Sequence, residues 1–289
     1  MSDMNELLQS YWTKQKCGKH NPSDLIMEHG LRLKTYAIVD IEDIFEQINK
    51  NEYTIDAMPR TSWSNFLKEA KLNEYLKPEY VQSSLDVQLG RPAIGVGEFL
   101  FVSCFGNLAF ASESGDLIDI KNHKRIEFKG NRSTFSGDKK TNIEYVEMNS
   151  SILSTIAAQF SEYKSVENSV SFDKQFCKVI DGKLKEHPEK IETIIELCQN
   201  IKLNGNPSKK LTQLFSSLYK DKEDLFYVVA AMHCYAYLTA QKADYLLLAN
   251  EKGYMCCESP KDALDAWQIV RNLDITSWSK GKKGMSVSL

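Results

Sequence analysis

The chain of 289 residues carries 36 Lys and Arg against 39 Asp and Glu, for a formal charge of −3, and 42% of it is hydrophobic. This is an ordinary globular composition, sufficient for a substantial core in one large domain or two. It contains no run of ~18 apolar residues able to span a bilayer, and the start Met1-Ser2-Asp3-Met4-Asn5-Glu6 lacks the basic and apolar regions of a secretory signal, so a soluble protein of the cytoplasm with no membrane partner is expected. The seven cysteines are odd in number and include no Cys-x-x-Cys pair, which argues for buried free thiols and against structural zinc.

Up to residue 90 the pattern is helical in pieces. Apolar periodicity predicts helices over residues 5–16, 40–49 and 62–75, the last capped by Thr61 or Ser62, with a short strand over 33–39. Pro22, Pro59 and Pro78 punctuate these segments.

Residues 95–105 form a mostly apolar stretch that reads as a buried helix, stopped by Gly106-Asn107 and carrying Glu98 in its first turn. The helix dipole favours a carboxylate there, but a charge in so apolar a segment calls for a partner. Residues 108–111 read as a short extension, and residues 112–115 as a polar loop ending in Gly115. Residues 116–120 then read as a strand, residues 121–125 as a polar turn, and residues 126–130 as the antiparallel return strand.

Side chains alternate along a strand, so Glu127 and Lys129 share one face and Ile126 and Phe128 the other. Asp116 and Asp119 fall on opposite faces; Asp116 is the choice for a joint site because it follows Gly115 at the strand mouth, with Asp119 in reserve. An acidic residue two positions before a lysine also occurs at Glu69, Asp119, Asp138, Glu162 and Asp181. Only Glu127 lies inside a β-branched and aromatic run, behind a Gly-Asp strand start and a helix with its own glutamate.

On Glu98, Gly115-Asp116 and Glu127-Phe128-Lys129-Gly130 the chain resembles the PD-(D/E)XK phosphodiesterase superfamily over residues 92–140, with Gly115 in place of the usual proline. The resemblance implies an α/β protein with a restriction-endonuclease-like mixed sheet core flanked by helices. It also implies catalytic Asp116, Glu127, Lys129 and Glu98, with Asp116, Glu127 and Glu98 holding Mg²⁺ or Mn²⁺. Around them Lys121, Lys124, Arg125, Arg132, Lys139 and Lys140 make a locally basic stretch, and Lys124, Arg125, Arg132, Ser133, Lys139 and Lys140 are the expected nucleic-acid contacts.

Beyond the core, residues 142–148 read as a further strand and residues 150–163 as a helix, after which the chain turns largely helical over 173–181, 188–201, 208–219 and 223–241. His233 lies in the last of these and reads as a core histidine. Residues 245–249 and 254–257 flank a hairpin turn, residues 260–273 read as a helix capped by Ser259, and residues 286–289 as a final edge strand. The expected organisation is a helical region over 1–90 packing on the core, a nuclease core over 91–165, and a helical region with a hairpin, helix and strand over 166–289.

The expected function is a Mg-dependent nuclease hydrolysing phosphodiester bonds, of phage, repair or restriction type. Its expected partner is nucleic acid, DNA in preference to RNA and double-stranded in form, and cutting both strands would call for a homodimer. The competing expectation is a noncatalytic DNA-binding or assembly protein built on a nuclease-like fold.

Overall fold

The structure, a computed structural model, describes residues 22–53, 58–86, 96–111, 116–130, 133–136, 158–159, 171–199, 202–203, 206–207, 216, 219–220, 224–279 and 284–289. In chain order the elements begin with helices α1 (Pro22–Tyr36) and α2 (Ile41–Lys50), strand β1 (Met58–Ser62), a 3₁₀ turn (Trp63–Asn65), and helices α3 (Phe66–Glu69), α4 (Glu79–Leu85) and α5 (Val96–Cys104). Strands β2 (Leu108–Phe110), β3 (Leu117–Asp119), β4 (Lys124–Lys129), β5 (Ser133–Ser136) and β6 (Ser171–Asp173) follow, then α6 (Lys174–Glu186), α7 (Glu189–Gln199), β7 (Lys202–Leu203) and β8 (Asn206–Pro207). The chain closes with α8 (Leu225–Gln241), β9 (Tyr245–Asn250), β10 (Gly253–Glu258), α9 (Ala263–Arg271), β11 (Asp274–Ser279) and β12 (Gly284–Ser288). Among the described residues no helix is long and apolar enough to cross a membrane.

These elements form two compact units, residues 1–131 with 241–258 and residues 132–240 with 259–289. The first is built on a six-stranded mixed sheet in the order β1-β10-β9-β4-β3-β2. Every pairing is antiparallel except β4 with β9, which run parallel with Glu127 beside Leu246 and Lys129 beside Leu248. A parallel pair cannot be joined by a tight turn; here the connection is residues 132–240 of the second unit. The apolar run of β9, Tyr245-Leu-Leu-Leu-Ala-Asn250, is buried from Leu246 to Ala249, as befits a central strand covered on both faces.

One core serves this unit. Phe101 of α5 meets Tyr53, Trp63, Phe66, Phe128 and Tyr254 edge-on, with ring centroids 5.2–6.3 Å apart. Such tilted pairs are favoured by the ring quadrupoles. At the edge, β1 approaches β10 so closely that a Cβ on Gly253 would overlap the Thr61 carbonyl oxygen, which requires glycine there.

The second unit holds a four-stranded antiparallel sheet in the order β5-β12-β11-β6. Its core includes Phe135, Ile180, Val228, Met232, Met285 and Val287. His233 is the core histidine expected: its Nε2 lies 2.7 Å from the Phe135 carbonyl oxygen, and burial holds its pKa below the ordinary range.

Several predicted elements change. Residues 33–39 are not a strand: α1 runs to Tyr36, and only Ala37 makes an isolated bridge, to Leu76. The helix expected over 62–75 is a 3₁₀ turn and one short helix, ended where Lys71 takes a φ of 50°. Residues 108–110 are a full strand, β2, paired to β3. The helix expected over 173–181 runs on through Gly182 to Glu186. Asp262, rather than Ser259, caps α9, accepting the Leu264 and Asp265 amides at 2.9 Å each. The terminal strand is interior, lying between β11 and β5. The expected helix over 5–16, the strand over 142–148 and nearly all of the helices over 150–163 and 208–219 lie outside the described residues.

Candidate active site

The site is organised around the amide of Phe128. On β4, Glu127 and Lys129 share a face and pair directly, Lys129 Nζ lying 2.6 Å from Glu127 Oε1. Glu127 is 3% exposed. A carboxylate so buried is costly unless paired, and the adjacent ammonium supplies that pairing.

Asp116 reaches the same place from β3. The ladder pairs Leu117 with Ile126 and Asp119 with Lys124, and Asp116 stands directly before its last paired residue. The regular ladder ends there. The Asp116 amide donates to the Ile126 carbonyl at 3.0 Å, and Asp116 Oδ2 accepts the Phe128 N–H at 2.9 Å. An acidic side chain is thus fixed beside the residue that separates Glu127 from Lys129.

Glu98 is carried by α5. It stands in the first turn of α5, half-buried, next to Gly97. A Cβ on Gly97 would overlap the Phe128 ring, so glycine lets the helix end settle directly on β4. Through Phe101, α5 packs on the Phe128 face of β4.

Among the described residues no group of three His, Cys, Asp or Glu side chains is gathered to hold a metal ion. The structure therefore brings Asp116, Glu127 and Lys129 together without closing Glu98 into a three-carboxylate set. The fit to Mg²⁺ or Mn²⁺ is one of donor chemistry: the acidic groups here are hard oxygen ligands, and such ions keep several waters of their own.

Asp119 has a different task. It is 2% exposed and accepts the Lys121 amide at 3.0 Å, the Asn122 amide at 3.2 Å and the Asn122 side-chain N–H at 2.8 Å. It holds the hairpin turn, in which exposed His123 adopts a left-handed φ of 54°.

The expected nucleic-acid contacts divide into two groups. Lys124 pairs with Asp244 at 3.4 Å, the Arg125 amide donates to Asp244 Oδ2 at 2.9 Å, and Lys121 pairs with Glu52. The basic hairpin tip is thus matched by acidic neighbours, among them Asp244, which nothing in its local sequence singles out. Ser133 contributes its backbone to β5, paired with Val287. Arg132, Lys139, Lys140 and Gly115 lie outside the described residues. Gly97 was missed as a positioning residue, although a glycine directly before the only acid of an apolar helix was its visible signal.

No protein family, no curated protein and no solved structure matches the chain.

Proposed function

We propose that this chain is a metal-dependent nuclease, cleaving phosphodiester bonds of DNA in the manner of the superfamily its motif resembles. One observation carries the reading: Asp116 and the Glu127-Phe128-Lys129 run meet across the β3–β4 hairpin, with Asp116 on the Phe128 amide and Glu127 on the Lys129 ammonium. The parallel β4–β9 pair at the centre of a mixed sheet, with a helix bearing Glu98 against β4, supports it further.

Asp116 and Glu127 would be the principal holders of Mg²⁺ or Mn²⁺, with Glu98 acting through water. Once bound, the ion would lower the pKa of a coordinated water and offset charge on the phosphate oxygens. The chain's own groups do the rest. Asp116 is oriented by a backbone N–H, so its carboxylate needs little rearrangement when substrate arrives. The Lys129 ammonium has three N–H donors, enough to hold Glu127 and also steady a phosphate oxygen or the attacking water.

A second reading, a noncatalytic DNA-binding protein, draws on one observation: among the described residues the acids are not gathered in threes. Incubation with supercoiled, linear and single-stranded DNA in Mg²⁺, Mn²⁺ or EDTA separates the two. Nicking that EDTA abolishes is the expected result; DNA bound but never cut favours the second reading.

A further inference from the structure

Three helix ends of the second unit meet at one aromatic ring. Lys174 opens α6, Tyr227 stands in the first turn of α8, and Arg271 closes α9. The Arg271 guanidinium carbon lies 4.6 Å from the centre of the Tyr227 ring and 5.4 Å from that of Trp267, one turn back on its own helix. Lys174 Nζ lies 5.1 Å from the same Tyr227 ring and donates to its hydroxyl at 3.2 Å. Ring quadrupoles attract cations at such distances, and a guanidinium beside two rings has given up much of its freedom before any ligand arrives.

We propose that Arg271 and Lys174 form a phosphate-binding site, taking a backbone phosphate of the DNA on which this chain acts. The inference rests on the nuclease reading for the polymer it invokes. The donors each cation keeps select an oxyanion. The acid paired with Arg271 is Asp224, whose Oδ2 stands 3.8 Å from the guanidinium, longer than a hydrogen bond, while its Oδ1 accepts the Tyr227 amide at 3.3 Å. That pairing takes up none of the five guanidinium N–H donors. The Arg271 side chain is 47% exposed, so a ligand can reach them.

Lys174 completes the site. It is exposed, and it spends one of three N–H groups on the Tyr227 hydroxyl. A planar fork beside an ammonium matches a phosphate, since the fork gives two parallel bonds to its oxygens and the ammonium adds a point charge. Such contacts fix a nucleic acid in place without reading its sequence. The cluster therefore suits a holding role, on elements separate from the β3–β4 hairpin that carries Asp116 and Glu127.

The test is fluorescence anisotropy with a labelled DNA duplex, in EDTA so that nothing is cut, repeated over a series of salt concentrations. Lys174→Gln with Arg271→Gln should weaken binding and reduce the slope of log affinity against log salt by about 0.9, the share of one neutralised phosphate. Lys50→Gln with Lys68→Gln removes the same charge from exposed positions in the first unit and should leave the slope as it was. Asp224→Asn should tighten binding about twofold to fivefold, the range of an exposed ion pair, because it frees Arg271 while an amide oxygen still receives the Tyr227 N–H. Weaker binding by Asp224→Asn would mean that the ion pair only holds α9 to α8, and would overturn the site. A slope unchanged by the first pair, or reduced equally by the control pair, also overturns it. DNA nicked in Mg²⁺ by a chain whose slope ignores the first pair leaves the nuclease reading standing without the site. A reduced slope in a chain that never nicks supports the site and removes the nuclease reading.

Discussion

The two ends of the β3–β4 hairpin carry the same kind of group for opposite purposes. At the closed end Asp119 meets N–H donors from Lys121 and Asn122, and the cations around it, Lys121 and Lys124, pair with Glu52 and Asp244. At the open end Asp116 accepts the Phe128 amide, and Glu127, next to Phe128, is buried against an ammonium. A carboxylate surrounded by its own turn amides holds a chain in shape. A carboxylate set beside a second acid and a cation, in a place where the ladder stops, is what the proposed function would use to hold a ligand. Sequence offers both as an acidic residue in a short strand; only the donors around each one separate their roles.

The sharpest way to break this contrast is activity. Asp116→Asn, Glu127→Gln and Lys129→Met should each reduce Mg²⁺-dependent nicking of supercoiled DNA by at least ~100-fold, the order expected when a group that stabilises the transition state is lost. Asp119→Asn should leave nicking within a few fold. A fully active Asp116→Asn protein would return Asp116 to the same class as Asp119.

Stability gives the next largest effect. Glu127→Ala leaves the mostly buried Lys129 ammonium without this partner and should lower unfolding free energy by about 3–5 kcal/mol in urea titration. Replacing both, Glu127→Leu with Lys129→Met, should recover most of that loss, because the cost lies in stranding one charge. Gly97→Ala should follow at about 1–3 kcal/mol, since the added methyl must push the Phe128 ring out of a packed core. Thermal melting reads it directly, and an unchanged melt would mean the ring moves aside freely.

The smallest effect sharpens the comparison with a third carboxylate, in the second unit. Asp181 accepts the Tyr219 hydroxyl at 2.9 Å and the Leu225 amide at the start of α8 at 3.1 Å, yet burial raises its pKa from 3.8 to about 6. The folded chain therefore holds this proton more tightly than the unfolded chain. Its stabilising contribution is full below pH 3.8 and is lost as pH rises through about 6. The change should be on the order of 1 kcal/mol once solvent screening is allowed for. Asp181→Asn should flatten that portion of the stability profile, followed by circular dichroism between those pH values.

How much of this could be read from the chain alone follows the range of the forces involved. The β3–β4 and β9–β10 hairpins, α2 and α5 were legible because turn residues and apolar spacing act locally. Glu127 and Lys129 on one face followed from alternation alone. The β-rich letters of residues 33–39 misled because α1 is held by tertiary packing of Leu33 and His29, both fully buried, which overrides local propensity. Strand β1 was hidden by Pro59, which an edge strand tolerates. The pairing of β4 with β9, the role of Asp244 and the contact of Gly97 with Phe128 join residues far apart in sequence, and no local signal encodes them.

The insertion of residues 132–240 between the two parallel strands has a kinetic consequence. Closing so long a loop is entropically expensive and slow, so β9 should be among the last strands to dock during refolding or synthesis. Until it does, β4 has an uncovered edge, and an emerging chain exposes Glu127 and Lys129 beside open backbone groups. Assembly of the candidate centre therefore waits on a strand made long after β4, so a chain released before β9 would hold every residue of the motif and still lack the strand that completes its setting.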